Sequence, residues 1–263
     1  MKRLFTLLFL AGLAVPAASF AASDGAARGL AIAQESERRD AGWRDSTVAV
    51  TMILQDRRGQ TRERKLRLSM QEKPGNAGDK TLTVFDSPPD MAGTLFLSHS
   101  VVGADDKLWL YLPSLKRVKR ISSVNKSGPF VGSEFAFEDF TALELNKYTY
   151  KYLRTEDLDG RKCDVVERYP RYEHSGYTKQ ISWIDQKDAQ VRKVTFYDRR
   201  GDLLKTLTLE DYKLYDGKFW RTHTMKMVNH KTGKSTDLVY SDYQFSAGLK
   251  DGDFAKNMLN RLR

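Results

Sequence analysis

From residue 47 onward the hydrophobic positions recur every second residue. Val48, Val50, Met52 and Leu54 alternate with Thr47, Ala49, Thr51 and Ile53, and Leu66, Leu68 and Met70 alternate with Lys65, Arg67 and Ser69. A period of two predicts strands with one buried face. Between these runs lies Asp56-Arg57-Arg58-Gly59, read as a type I turn whose glycine takes the left-handed position. The same punctuation returns as Asp159-Gly160, Asp198-Arg199-Arg200-Gly201, Asp216-Gly217 and Lys231-Thr232-Gly233. It separates β-rich runs at Tyr148–Leu153, Lys162–Tyr169, Tyr177–Ile184, Val191–Tyr197, Leu203–Leu214, Phe219–Val228 and Leu238–Phe245. Hairpins at this spacing predict an antiparallel meander, because parallel strands need long crossovers. About a dozen strands are more than a flat open sheet holds, so the sheet is expected to curl or close.

Other stretches depart from this rhythm. Ala26–Arg39 has helical spacing at Leu30, Ile32 and Ala33 and then turns polar, which predicts one amphipathic helix; a short helix is expected over Asp253–Leu262. Leu108–Leu112 is apolar at every position, as in a strand covered on both faces. Lys116, Arg117, Lys119 and Arg120 surround Val118 with no acid among them, a pattern expected of a strand with its charges at a rim. Ser122–Phe140 has no clean period and reads as a long loop with a helical turn near Glu138; loops of this length are commonly functional or mobile. No Pro/Ser-rich linker divides the chain, so residues 22–263 are expected to form one domain.

The N-terminus changes the picture of where such a chain works. Lys2 and Arg3 precede an apolar stretch from Leu4 to Val15, and Ser19-Phe20-Ala21 supplies small residues for cleavage. Residues 1–21 therefore read as a secretory signal cleaved near Ala21, too short for a membrane span. The mature protein is expected to be soluble and periplasmic. No later stretch reaches the roughly 18–20 apolar residues needed to cross a bilayer. The formal net charge of +10, or +8 without Lys2 and Arg3, suits an anionic lipid surface better than nucleic acid in that compartment. Cys163 is alone, so no intramolecular disulfide forms, and it reads as a small apolar strand residue.

A search for catalysis finds little. His99, His174, His223 and His230 show no zinc-protease spacing, and His223 and His230 sit at odd separation on one predicted strand, facing opposite sides. No nucleophile elbow, P-loop or dinucleotide fingerprint is present. Asp157-Leu158-Asp159-Gly160 reads as a turn, and the adjacent carboxylates Glu138 and Asp139 read as solvated. Trp109 and Tyr111 lie next to basic residues, but within a doubly apolar strand burial accounts for them as well as stacking on nucleic acid does. The expectation is a protein that is not an enzyme, with no metal and no cofactor.

A curled antiparallel sheet covered by a few helices would instead enclose an apolar cavity, the geometry of many β-sheet ligand sites. Its expected lining is Val48, Val50, Met52, Leu54, Leu66, Leu68, Met70, Leu82, Val84, Leu95 and Leu97, capped by the N-terminal helix. Lys116, Arg117, Lys119 and Arg120 would form a docking rim. Phe130, Phe135 and Phe137, with Phe130 read as exposed, would belong to a flap over the mouth. A sandwich with a filled core would show the same composition. A non-carrying periplasmic adaptor or sensor beside a membrane transporter is the other function class.

Certain motifs, taken in order, resemble a known family. They are Asp86-Ser87-Pro88-Pro89-Asp90-Met91-Ala92-Gly93-Thr94, Trp109-Leu110-Tyr111-Leu112-Pro113, Arg117-Val118-Lys119-Arg120-Ile121, Gly132-Ser133-Glu134-Phe135 and Phe137-Glu138-Asp139. Together they resemble the outer-membrane lipoprotein-sorting proteins, the LolA-like group often associated with RND-type lipid exporters. The likeness runs over nearly the whole mature chain. It implies a half-barrel of antiparallel strands covered by helices, and a monomeric periplasmic carrier of lipoproteins or lipids that needs no cofactor. An inner-membrane transporter and an outer-membrane acceptor would be its partners. The resemblance also implies a buried arginine bonded to lid residues, for which Arg64, Arg67 and Arg117 are all candidates.

Overall fold

The computed structural model describes residues 18–73, 78–141 and 144–261. Its opening helix, α1, spans Ala18–Asp40, longer than the predicted Ala26–Arg39. Residues 1–17 of the stretch read as a secretory signal lie outside the described residues. No helix among the described residues is long and apolar enough to cross a membrane.

The alternation seen in sequence is reproduced in the burial of β1 (Asp45–Gln55). Ser46, Val48, Val50 and Met52 are buried and the residues between them are less so. The next strands are β2 (Thr61–Gln71), β3 (Lys80–Ser87), β4 (Leu95–His99), β5 (Lys107–Leu112), β6 (Arg117–Ile121) and β7 (Tyr148–Leu158). They continue as β8 (Arg161–Pro170), β9 (Tyr177–Asp185), β10 (Val191–Asp198) and β11 (Leu203–Glu210). The last four are β12 (Lys213–Tyr215), β13 (Phe219–Arg221), β14 (Thr224–Asn229) and β15 (Ser235–Phe245). Thirteen of these form one sheet in the order β6-β5-β4-β3-β2-β1-β15-β14-β11-β10-β9-β8-β7, and β12 pairs with β13 apart from it. All the pairings are antiparallel. The sheet curls without closing, a half-barrel.

The turn chemistry explains the hairpins. Gly59 and Gly201 take φ of 83° and 84° after their aspartates, and Asp159-Gly160 places both residues at positive φ. That double left-handed pair is what a tight two-residue hairpin requires.

Several expected boundaries shift. The runs Leu203–Leu214 and Phe219–Val228 are each broken in two, the first at Asp211, which turns to φ 54°. His223 and His230 consequently flank β14 instead of sharing one strand. The expected C-terminal helix is two 3-10 turns, Asp251–Phe254 and Lys256–Asn260, because Ala255 between them is extended at ψ 137°. Its last expected residue, Leu262, lies outside the described residues.

Each face of the sheet has its own cover. On the concave face α1 packs Ile32 and Ala33 against Tyr150, Val166 and Ile184. On the convex face the C-terminal turns bring Phe254 and Leu259 onto Leu82, Leu95, Leu97, Trp109 and Tyr111. The doubly apolar β5 is thus buried from both sides, as its sequence predicts: Leu108 and Leu110 face the concave interior and Trp109 and Tyr111 the convex cover.

Candidate functional site

The two free edges of the sheet, β6 and β7, are consecutive in sequence. The link between them, of which residues 122–141 and 144–147 are described, crosses the open side of the half-barrel. It does so as short 3-10 turns, Ser123–Asn125, Phe130–Gly132, Phe137–Phe140 and Leu145–Lys147, joined by an isolated bridge between Pro129 and Ala136.

The concave wall is apolar. Val48, Val50, Met52, Leu66 and Leu68 are buried in it, with Leu54 and Met70 partly buried against them. Phe85, Phe96, Val194, Phe196, Met227, Leu238 and Tyr240 complete the same cluster. Leu82, Val84, Leu95 and Leu97 do not line it. Leu68 stands opposite Thr83 and Leu66 opposite Phe85, so Leu82 and Val84 point to the convex face; Leu97 and Leu95 pair with them and point the same way. Sequence alternation gives no sign of this, because β3 and β4 carry buried residues on both faces.

The interior is filled by the crossing segment. Phe130, expected to be exposed, is 0% exposed. Its ring lies 5.1 Å from Phe96, 5.4 Å from Phe137, 4.2 Å from Phe140 and 6.0 Å from Phe85, centroid to centroid. Phe135 and Phe137 are buried beside it. The flap residues are thus plug residues. An isolated phenylalanine in a Ser/Gly-rich link turns inward because the apolar wall across the opening is the nearest place to remove its ring from water.

Polar groups hold this plug to the strands. Arg64 of β2 donates from Nη1 to the Val131 carbonyl at 2.5 Å. Lys205 of β11 donates to the Glu134 carbonyl at 2.9 Å and to Asp139 Oδ2 at 2.7 Å. The Tyr177 hydroxyl donates to Asp139 at 2.9 Å, and Asn229 donates to Glu134 Oε2 at 2.6 Å. Glu138 accepts from the Gly176 amide at 2.8 Å and from the Ser175 and Tyr172 hydroxyls at 2.9 Å each. Buried charges are costly unless paired and hydrogen-bonded; Asp139 meets that condition through Lys205, whereas Glu138 is hydrogen-bonded but has no cation within ion-pair distance among the described residues. Burial still pushes the Glu138 carboxyl above its usual range, helped by the neighbouring Asp139 charge. Burial likewise raises the Tyr177 phenol well above its ordinary value.

The reading of Glu138 and Asp139 as solvated is corrected by this arrangement: Glu138 is 8% exposed, and the Asp139 side chain is equally buried against Lys205. Lys205, Tyr172 and Ser175 carry no sequence signal at all. The one available hint was the acid pair itself, set among Phe135, Phe137 and Phe140. Of the three candidate arginines, Arg64 alone bonds the crossing segment among the described residues. Arg67 pairs with Asp86 on the surface at 2.9 Å, and Arg117 is exposed.

Of the four cations expected at a rim, Lys116 sits in a left-handed turn at φ 46° instead of on a strand, and Arg117, Lys119 and Arg120 follow on β6; all four are exposed. A separate open cleft of about 1080 Å³ lies between the C-terminal end of α1 and the β12–β13 hairpin, lined by Arg38, Arg192, Tyr212 and Trp220 among others; it is of mixed charge and lacks the apolar wall. No group of three or more His, Cys, Asp or Glu side chains among the described residues is placed to hold a metal ion. Burial raises the Cys163 thiol to about 11, which leaves it without thiolate character at neutral pH.

Comparison with known proteins places this geometry. A protein family described as an uncharacterized protein matches residues 77–261. An outer membrane lipoprotein-sorting protein domain from Vibrio parahaemolyticus is 52% identical, covers 90% of this chain and 100% of its own, and superposes with a TM-score of 0.88. A DUF1329 family protein from Desulfovibrio piger is 27% identical over 89% of this chain and 99% of its own, with a TM-score of 0.85. A LolA superfamily protein from Nitrosomonas europaea shares the fold at 22% identity over 88% of this chain and 98% of its own, with a TM-score of 0.70. No curated protein matches the chain.

Proposed function

Since the chain belongs to the outer-membrane lipoprotein-sorting protein family and has the LolA superfamily fold, we propose that it is a periplasmic carrier that takes the acyl chains of a lipoprotein or lipid into the half-barrel. The observation that carries this reading is the nature of the interior: an apolar wall filled by a segment that belongs to neither edge strand. The plug is tied down by side-chain hydrogen bonds, which can be released without unravelling the sheet.

The magnitudes permit an exchange. Burying a phenylalanine contributes about 2–3 kcal/mol, so withdrawing four rings loses on the order of 10 kcal/mol. An acyl chain gains about 0.8 kcal/mol per buried methylene, so roughly a dozen methylenes restore that amount. Val131 adds a bias toward release. It is a β-branched residue held at φ 45°, a conformation that costs on the order of 1–3 kcal/mol and relaxes when the segment leaves. Transfer by such exchange needs no catalytic group and no cofactor. The donor would be an inner-membrane exporter of the RND type and the acceptor an outer-membrane site.

One observation favours a second reading. The closed interior is occupied by the chain's own rings, as in an adaptor or sensor that carries nothing. Native mass spectrometry of the protein purified from its native envelope, with lipid extraction, separates the two. Stoichiometric acyl-bearing ligand supports the carrier. A ligand-free protein that takes up no lipid from vesicles while co-purifying with a permease rejects it.

A further inference from the structure

The two edges of the sheet are finished differently. α1 lies against β7 so closely that a Cβ on Gly29 would stand 2.7 Å from the Tyr152 amide nitrogen and one on Gly25 3.4 Å from the Tyr152 carbonyl oxygen. At the other edge β6 pairs with β5 alone, from Leu112 opposite Arg117 to Leu108 opposite Ile121, and among the described residues no strand pairs with its outer side. An open edge presents unpaired N–H and C=O groups, a template for a further strand.

The side chains select what that strand could be. Arg117, Lys119 and Arg120 are exposed on β6, with exposed Lys116 immediately before them. None of the four has an acidic partner within ion-pair distance among the described residues. Some exposed cations elsewhere do have one, such as Arg67 with Asp86 and Arg38 with Glu35, while others, Arg57, Arg58 and Lys65 among them, have none within ion-pair distance among the described residues. Four unpaired cations on one short edge repel a second copy of the same edge and attract an acidic segment. Leu115, 53% exposed, and Val124, 60% exposed, stand beyond the two ends of the strand and offer apolar contacts to a chain running along it.

We propose that β6 is a docking edge for an acidic, extended segment of a partner protein, which adds to the sheet as one further strand. Residues 117 and 119 point to one face and 118 and 120 to the other, so the best partner carries acids at alternate positions. A bilayer fits less well. It offers no backbone groups to pair with the edge, and Leu115 and Val124 are held apart by the length of β6, roughly 16 Å at 3.3 Å per residue, too far for one insertion patch. The proposal is independent of what the interior carries.

A labelled synthetic peptide in which Glu alternates with Val, titrated into the full chain without lipid, tests it. The expected result is saturable binding that weakens with salt, with hydrogen-exchange protection appearing at 117–121. Lys119→Glu with Arg120→Glu should weaken binding at least tenfold while circular dichroism stays unchanged, and a peptide with Lys in place of Glu should not bind. The proposal is overturned by absence of saturable binding, by protection at other residues, or by indifference to the charge reversal. It is equally overturned if the protein ignores the peptide but binds phosphatidylglycerol vesicles through these cations.

Discussion

The guanidinium of Arg64 donates to the carbonyl of Val131, a residue held at φ 45°, so a side chain on the sheet fastens a strained point of the plug. Burial lowers the pKa of Arg64, yet an arginine stays charged throughout the accessible range, so this fastening does not titrate. A hydrogen bond from a charged donor contributes about 1–2 kcal/mol at a half-buried site. Arg64→Ala should therefore raise the population of the released segment roughly 5- to 30-fold. Faster hydrogen exchange at 130–137 and faster uptake of a fluorescent fatty acid would report it. Arg67→Ala is the matched control. Its surface pair with Asp86 is worth less than about 1 kcal/mol, and neither readout should move.

Phe130 is the deepest ring of the plug, and Phe130→Ala separates its two roles. With the segment in place, the loss of a fully buried phenylalanine costs about 3–5 kcal/mol in urea denaturation. If the segment acts as a detachable plug, the same variant gains affinity for the fatty acid because less must be displaced. A stability loss with no change in uptake would mean that the rings are permanent core, which favours the adaptor.

Residues differ sharply in how much of this was legible beforehand. β1 and β2 could be read from their alternation because each has one face that is clearly more buried, and Val48 to Met52 and Leu66 to Leu68 stand where expected. Leu82, Val84, Leu95 and Leu97 point to the convex face and not to the expected concave one, because both faces of β3 and β4 are covered and period two carries no sign when both are apolar. The latch was illegible for a different reason. The partners of Glu138 and Asp139 lie 34 to 66 residues away, at Tyr172, Ser175, Gly176, Tyr177 and Lys205. The curl of the sheet brings them together, and no local spacing encodes the curl. Phe130 failed for want of context, since a lone aromatic between serines and glycines has no periodic neighbour to indicate its face.

Glu138 makes closure depend on pH in a direction opposite to that of a simple acid-opened latch. Its carboxyl is raised above the ordinary 4.5, chiefly by burial and then by Asp139, so the closed state binds its proton more tightly than a solvent-exposed open state does. That contribution is fully present below pH 4.5 and is lost as pH rises through the raised value. Closure should accordingly tighten as pH falls from neutral toward 4.5. Exchange protection at 130–137, corrected for intrinsic rates, should increase over that interval. Glu138→Gln, which stays neutral and keeps an acceptor for the Gly176 amide, should remove the dependence. A dependence that survives in the variant would show that Glu138 is not its source.

The covering of β7 by α1 rests on a glycine. In the interior of an exposed helix Gly→Ala gains up to about 1 kcal/mol of helix propensity. At Gly29 the added Cβ would stand 2.7 Å from the Tyr152 nitrogen and 2.9 Å from Lys151 backbone atoms, none of which can turn aside as a side-chain tip would. The helix must lift, and Ile32 and Ala33 then lose their seat on Tyr150, Val166 and Ile184. The clash outweighs the propensity gain, so Gly29→Ala should lower the melting temperature. Gly25→Ala, with its nearest atom at 3.4 Å, should leave it unchanged or slightly raised. Amides of β7 should exchange faster in the first variant only, because the lifted helix uncovers one edge of the sheet while β6 at the other is untouched. Equal behaviour of the two variants would show that α1 does not seal that edge.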